Sequence, residues 1–277
     1  MNTPSRPRAT KIICTIGPAT DTSDMLGQLI EAGANVFRLN MSHSKHDWVR
    51  EVVFRIRRKA AELKANVAIL FDLQGPSIRT GDLLEPYHLK KGDTVEIRLG
   101  TAKPELPFST TVNYDGLLQD VQAGHTMVVD NGGILMRIAE VRPDRLICDV
   151  LTEGVFGSRR HINLPGVALR LPALTEKDLA DLAVAVECET DYVAMSFVRD
   201  AAHIAQLREH IDNLGGKAQI VAKIEDQQAV RHIDDIILAA DVIMVARGDL
   251  GIEVSIEELP IIQRRIVRHC HRLARRC

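Results

Sequence analysis

The sequence lacks the features that would assign it to a membrane or to a nucleic-acid complex. Its 277 residues contain no uninterrupted apolar stretch that approaches membrane-spanning length. The formal net charge is only −2, which argues against the basic surface of a nucleic-acid or anionic-membrane binder. The first eleven residues, MNTPSRPRATK, are basic but lead into only a short apolar strand. We therefore expect neither a signal peptide nor an anchor there.

Cysteine is sparse, and its pattern indicates neither a disulfide framework nor a zinc site. The five cysteines are odd in number and scattered, with no CxxC pair and no histidine at zinc spacing. We expect reduced thiols and a cytoplasmic protein. Cys14 lies in an apolar strand, where packing is a better explanation than reactivity. With 45% hydrophobic residues, the chain can bury a large core, in one α/β domain or two smaller ones.

The spacing of apolar strands predicts an α/β barrel with an insertion. Buried-type strands begin near residues 11, 34, 66, 192, 219 and 241. Four of the five steps match one helix-plus-strand unit, whereas the third is about 95 residues too long for a unit of roughly 30. The extra segment contains short β-like runs such as DTVEIRLG and RLICDVL between turn-prone KKGD, QAGH, DNGG and RPD. We predict barrel segments 1–76 and 172–277, and a small antiparallel all-β barrel domain at 77–171 that acts as a lid.

Helical periodicity predicts the segments that cover the sheet. We expect helices at 24–32, 48–64, 226–240 and 255–277, and a capping box formed by Thr175 and Asp178. The basic run RRIVRHCHRLARR is interrupted by apolar residues at helical period, so it indicates a solvated helix face. The predicted apolar faces are Val49, Val53, Ile56, Ala60 and Leu63; Val230, Ile233, Ile237 and Leu238; and Ile261, Ile262, Ile266, Val267 and Leu273.

The candidate chemistry lies near the end of the chain. Lys223 and Glu225 stand two residues apart at the end of one strand, so both side chains point to the same side. We expect Asp249, in ARGDLG, to close the next strand, with flanking glycines whose N–H groups can receive an anion. Rim salt bridges are the structural alternative. One cation and a split carboxylate pair favour a metal-assisted reaction on an anionic substrate.

Seven blocks together resemble pyruvate kinase and span nearly the whole chain in the family's order. They are KIICTIGPAT (11–20), AGANVFRLNMSH (32–43), FDLQGPSIRTG (71–81), INLPG (162–166), LPALTEKD (171–178), AMSFVRD (194–200) and IVAKIED with IMVARGDLGIE (220–226 and 243–253). The resemblance implies a TIM-type barrel carrying an inserted β domain. It also implies transfer of a phosphoryl group from phosphoenolpyruvate to ADP, giving pyruvate and ATP in glycolysis.

The resemblance further implies roles for single residues. Lys223 and Arg38 match the catalytic cations that stabilise the phosphoryl group. Glu225 and Asp249 match the carboxylates that hold Mg²⁺ or Mn²⁺ against the substrate. Gly248, beside Asp249, matches backbone close to the substrate carboxylate.

Two further groups follow from the same blocks. Asn40, Ser42, Asp72 and the Leu73 carbonyl match a site for K⁺. Ser77 stands where relatives carry Glu when potassium is needed or Lys when it is not, so potassium dependence stays open. The nucleotide-side, cofactor-binding positions are His43, Arg79 and Arg160, with Asn40. Arg160 alternatively is a solvated loop arginine.

The resemblance ends before the family does. It implies that barrel strands seven and eight and a C-terminal domain are absent, so we expect six strands with two open edges. The chain, a fragment in this interpretation, should then associate and turn over poorly, although the family implies a homotetramer. Two alternatives stay open: a metal-dependent aldolase or lyase acting on a pyruvate enolate, and a non-catalytic remnant that binds ligands or subunits.

Overall fold

A computed structural model describes residues 10–277, so the prediction for the basic N-terminal segment lies almost entirely outside the described residues. The strands are β1 (Ile13–Ile16), β2 (Val36–Asn40), β3 (Ala68–Asp72), β4 (Tyr87–Leu89), β5 (Thr94–Arg98), β6 (Ser109–Thr111), β7 (Thr126–Val129), β8 (Ile134–Val141), β9 (Arg145–Val150), β10 (Gly154–Phe156), β11 (Ile162–Asn163), β12 (Tyr192–Met195), β13 (Gln219–Ile224) and β14 (Val242–Val245). The helices are α1 (Ser23–Glu31), α2 (His46–Glu62), α3 (Leu117–Asp120), α4 (Glu176–Glu187), α5 (Ala201–Asn213), α6 (Gln227–Arg231), α7 (Ile233–Ala239), α8 (Arg247–Glu253) and α9 (Leu259–Arg272).

Six parallel strands form one sheet in the order β1-β2-β3-β12-β13-β14. Every neighbouring pair is parallel, so all six carboxyl ends lie along one rim. The observed strand starts agree with the predicted ones within two residues. With helices packed between successive strands, the fold is α/β and consistent with an incomplete TIM-type barrel, as predicted.

The helix predictions hold best where capping and periodicity agree. Helix α4 begins with the predicted capping box, in which Thr175 and Asp178 exchange side-chain and backbone hydrogen bonds. Helix α2 buries Val49, Val53, Ile56 and Ala60 against the sheet. Leu63 was predicted on the same face but is 37% exposed, because it follows the last residue of the helix.

The single helix predicted at 226–240 is wrong, because the chain forms two short helices there. Helices α6 and α7 are separated at His232, whose backbone leaves helical geometry and whose ring nitrogen donates to the Arg199 carbonyl oxygen at 3.0 Å. The break rotates α7 so that Ile233 and Ile237 are buried while Leu238 is 55% exposed. The prediction for Leu238 is therefore also wrong.

The last helix is shorter than predicted, and its apolar face differs. Helix α9 has Pro260 in its first turn and buries Ile266, whereas Ile261 is 69% exposed. Leu273 lies beyond the helix and is 38% exposed. The chain then turns back, and Arg276 forms a parallel bridge with Val242 at the β14 edge of the sheet.

The segment between β3 and β12 forms a second sheet with its own core. Its strand order is β11-β7-β8-β9-β5-β6, and the pairs are antiparallel except β5 with β6. Arg79 bridges His161 beside β11, and Thr80 bridges Val112 beside β6. These two residues join the ends of the sheet, which is the closure that a small barrel needs. A separate apolar cluster fills the interior, including Val95, Ile97, Met127, Met136, Leu146 and Phe156.

Two of the expected absences concern the described part of the chain alone. Within residues 10–277, no helix is long and apolar enough to cross a membrane. The five cysteines, all described, are free thiols, and Cys14 packs against the core of the parallel sheet.

Candidate active site

Lys223 lies at the centre of a buried charge cluster on the carboxyl rim of the sheet. Its Nζ is 2.7 Å from Glu225 Oε1 and 3.2 Å from Asp72 Oδ1, and it donates to Ser196 Oγ at 2.7 Å. The contacts converge because Asp72 ends β3, Ser196 follows β12, and Lys223 and Glu225 stand at the end of β13. The predicted alternation of Lys223 and Glu225 is confirmed by their direct contact.

Arg38 adds a second cation through the same aspartate. Its Nε donates to Asp72 Oδ2 at 2.6 Å, and its guanidinium also donates to Thr15 Oγ1 at 2.9 Å. Asp72 is 1% exposed and lies between the Arg38 guanidinium and the Lys223 ammonium. The cluster therefore presents two fixed cations to the cavity, each oriented by a carboxylate that strand geometry holds in place.

Glu225 is buried in an environment that favours an added positive charge. Burial raises the pKa of its carboxyl to about 7; the Lys223 ammonium opposes this shift and the Asp249 carboxylate adds to it. Burial alone would lower the pKa of Lys223, yet the Glu225 and Asp72 carboxylates raise it, so the ammonium stays charged. Glu225 Oε2 also accepts the Phe197 N–H at 2.7 Å, which fixes the carboxylate plane.

Asp249 reaches the same cavity from a helix, so the prediction that it closes a strand is wrong. Strand β14 ends at Val245, and Asp249 lies in the first turn of α8. The helix forms because the Leu250 N–H donates to the Ala246 carbonyl oxygen immediately after the strand. Gly248 is exposed in this turn, does not line the cavity, and has open space around it in the described part of the chain.

The Glu225 and Asp249 pair was tested as a Mg²⁺ site on its donor chemistry. Magnesium is usually held by one or two carboxylates together with substrate oxygens and water. Two carboxylates whose charges repel each other fit that pattern. Among the described residues no group of three or more His, Cys, Asp or Glu side chains could hold a metal. The pair therefore fits a metal shared with a substrate better than a metal bound by protein ligands alone.

The residues predicted to bind potassium lie beside this cluster. Asn40 Oδ1 accepts the Ser42 N–H at 3.1 Å, and the Leu73 carbonyl oxygen accepts the Ser196 hydroxyl at 2.8 Å. Asp72 Oδ1 is buried and has no hydrogen-bond partner among the described residues. These oxygens surround one region of the cavity, and the acceptor capacity of Asp72 Oδ1 suits a cation.

The residues predicted on the nucleotide side line the same cavity, which has a volume of about 470 Å³. His43 is exposed at its mouth. Arg79 donates to Ser77 Oγ at 3.3 Å and to the Arg159 carbonyl oxygen at 3.0 Å. Arg160 pairs with a partner carboxylate at 3.3 Å, so it is held in place instead of being freely solvated.

Several lining residues were missed by sequence reasoning. Ser196 and Phe197 stand in a motif that was recognised, and their position after β12 at the carboxyl rim was the available signal. His161 lies beside Phe197, with ring centroids 5.8 Å apart, and no sequence pattern indicates it because the second sheet delivers it. Asp130, Asn131 and Arg159 complete the wall from the same sheet.

Comparison with known proteins gives a consistent match. The family model described as pyruvate kinase, barrel domain, matches residues 7–277. Plastidial pyruvate kinase 2 of Arabidopsis thaliana is 39% identical over 275 residues, which are 98% of this chain and 47% of that protein. Pyruvate kinase of Clostridium perfringens is 39% identical over 264 residues, covering 95% of this chain and 56% of the relative. Pyruvate kinase of Geobacillus stearothermophilus is 39% identical over 272 residues, covering 97% and 46%. The chain spans about half the length of the curated relatives that it matches.

Proposed function

The chain belongs to the pyruvate kinase family, and we propose that its site transfers a phosphoryl group from phosphoenolpyruvate to ADP, as a cytoplasmic step of glycolysis. The bond between phosphorus and the enol oxygen breaks as an ADP phosphate oxygen bonds to phosphorus. The pyruvate enolate that leaves then takes up a proton. The observation that carries this proposal is the contact of Lys223 Nζ with both Glu225 and Asp72 inside one cavity.

Lys223 and Arg38 are the cations that we assign to the phosphoryl group. Charge spreads over the phosphoryl oxygens as the group transfers, and the protein's task is to position and neutralise it. Asp72 holds both cations at fixed positions, so little reorganisation is needed during the reaction. The raised pKa of Lys223 supports a permanently charged ammonium.

Glu225 and Asp249 would hold Mg²⁺ or Mn²⁺, which supplies further charge neutralisation when bound. The Phe197 N–H orients Glu225 for this role, and the start of α8 presents Asp249 with Gly248 beside it. We assign K⁺ to the oxygens of Asn40, Ser42, Asp72 and Leu73, with the dependence on potassium open because Ser77 carries no charge.

We assign the nucleotide to the side of the cavity lined by His43, Arg79 and Arg160, with Asn40 beside it. A lyase acting on a pyruvate enolate has no use for such a group, so the kinase is favoured. We also propose that the second sheet, within the boundaries 77 and 171, is a lid over this cavity. By relation to the family, phosphoenolpyruvate and ADP are the partners, with no nucleic acid and no membrane. A homotetramer is the assembly that the family suggests.

Three assays on the purified chain separate the candidate functions. We expect pyruvate release from phosphoenolpyruvate that requires ADP and Mg²⁺, and no pyruvate release from a 4-hydroxy-2-oxo acid. Retro-aldol release without ADP would replace the kinase by a lyase. Calorimetric binding of phosphoenolpyruvate with turnover no higher than that of Lys223→Met would support the non-catalytic alternative.

A further inference from the structure

Two linkers connect the second sheet to the parallel sheet, and they are built alike. Each contains a glycine with positive φ, Gly75 at 70° and Gly166 at 78°. The Gly75 N–H donates to Asp178 Oδ1 at 3.0 Å, and the Gly166 N–H donates to the Glu253 carboxylate. Each linker is thus held by one carboxylate from a helix of the parallel sheet.

The outgoing linker is fixed by packing as well as by its hydrogen bond. Asp178 is fully buried, and its second oxygen accepts from both the backbone and the hydroxyl of Thr175. A Cβ at Gly75 would lie 3.0 Å from Ser196 Cβ, so the surroundings leave no space for movement.

The return linker instead passes over a cavity of about 270 Å³, which Asn163, Gly166, Leu169 and Glu253 help to line. A Cβ at Gly166 would approach no described atom closer than 3.9 Å. Protein interiors rarely leave such space, so packing does not fix this linker. Its hydrogen bonds to Glu253 are therefore the contacts that hold it.

Those hydrogen bonds come from two linker residues. The Asn163 side chain and the Gly166 N–H both donate to the Glu253 carboxylate. Asn163 is 7% exposed, and its Oδ1 has no partner in the described part of the chain, so its amide nitrogen carries the contact. Burial raises the pKa of Glu253 to about 7, with the Asp226 carboxylate adding to the shift and both donors opposing it.

Glu253 also connects the two segments that carry the candidate metal ligands. It is the last residue of α8, which begins with the turn that holds Asp249. Its carbonyl oxygen accepts the side-chain amide of Gln227, two residues after Glu225. A displacement of Glu253 would therefore be felt at both carboxylates.

We propose that Glu253 is a positioning residue that locks the return linker onto the segments bearing Glu225 and Asp249, and so sets the separation of these two carboxylates. The inference rests on the proposed function, because it assigns a purpose to the metal pair. Movement of the second sheet would then alter metal affinity through Glu253, whereas the Asp178 linker stays fixed.

The test compares Glu253→Ala, Glu253→Gln and the matched control Glu257→Gln, an exposed glutamate on the segment that follows α8. Mn²⁺ affinity is measured by electron paramagnetic resonance, and hydrogen exchange is followed over residues 160–171 and 247–253 without metal. We expect Glu253→Ala to weaken Mn²⁺ binding by about tenfold or more, since loss of a group that orients a ligand typically costs 10–100-fold. Glu253→Gln should stay within about threefold because its amide oxygen can accept the Gly166 N–H.

Hydrogen exchange separates this inference from the proposed function. Faster exchange in both segments of Glu253→Ala, and not in Glu257→Gln, supports the lock even if wild type binds no Mn²⁺, a result that would sink only the metal assignment. Unchanged exchange in Glu253→Ala overturns the lock. If that variant does not fold, Asn163→Ala removes a donor from the linker side, and unchanged exchange in 247–253 of that variant overturns it equally.

Discussion

Lys223 Nζ lies 3.2 Å from Asp72 Oδ1 although their strands are not neighbours, since β12 runs between β13 and β3. Asp72 also holds Arg38 through its other oxygen. One carboxylate therefore positions two cations from three different strands, which explains how a rim site keeps its geometry without a bound ligand.

The metal assignment predicts that Glu225→Gln weakens Mn²⁺ binding in the presence of phosphoenolpyruvate by about tenfold or more, because the amide loses the charge that attracts the ion. Calorimetry on this variant and on Glu257→Gln checks the prediction. Equal affinities in the two variants would remove Glu225 from the metal site.

The potassium assignment predicts that turnover rises when K⁺ replaces a bulky organic cation at constant ionic strength. The buried Asp72 Oδ1 and the Leu73 carbonyl oxygen are the acceptors that the ion would complete. A steady-state titration with each salt measures the effect. If turnover does not respond, Ser77→Glu tests whether the missing carboxylate is responsible, and a flat response there too contradicts the site.

The raised pKa of Glu253 predicts a pH-dependent stability difference. Its pKa is about 7 in the folded protein against 4.5 ordinarily. The associated stability is fully present below pH 4.5 and is lost as pH rises through 7. Glu253→Gln removes the ionisation, so it should stabilise the fold by up to about 3 kcal/mol at pH 8 and change little at pH 4 to 5. Urea unfolding at the two pH values decides, with Glu257→Gln as control.

The edge of the parallel sheet predicts self-association of the 277-residue chain. Among the described strands, β1 pairs only with β2, and Ile13 on β1 is 49% exposed. Open parallel edges template further pairing. Ile13→Lys should shift light-scattering mass toward monomer, whereas Phe54→Lys, which removes an exposed side chain from α2, should not. An unchanged mass in Ile13→Lys argues against the edge as the contact.

The parallel sheet was largely predictable, because apolar strands at regular spacing leave few alternatives for a βα repeat. The contact of Lys223 with Glu225 followed from alternation along β13 alone. Asp249 was placed on a strand because the apolar run before it continues into ARGDLG, and the early start of α8 could not be read from that pattern. The break at His232 also depends on a tertiary hydrogen bond to Arg199, which a local pattern does not contain.

The remaining site residues depend on contacts distant in sequence. His161 and Arg159 reach the cavity only because the second sheet closes through Arg79 and Thr80. The partnership of Asp72 with Lys223 joins residues 151 positions apart, so no periodicity could indicate it. The boundaries at 77 and 171 stay predictions, which limited proteolysis can test.

The central claim is that Lys223 stabilises the phosphoryl group as it transfers. The most direct measurement compares the ADP-dependent release of pyruvate by wild type and Lys223→Met, together with the dissociation constant for phosphoenolpyruvate. Because the ammonium acts chiefly as charge develops, turnover should fall by about a thousandfold while the dissociation constant changes less than about tenfold. Near-normal turnover in Lys223→Met would contradict the account.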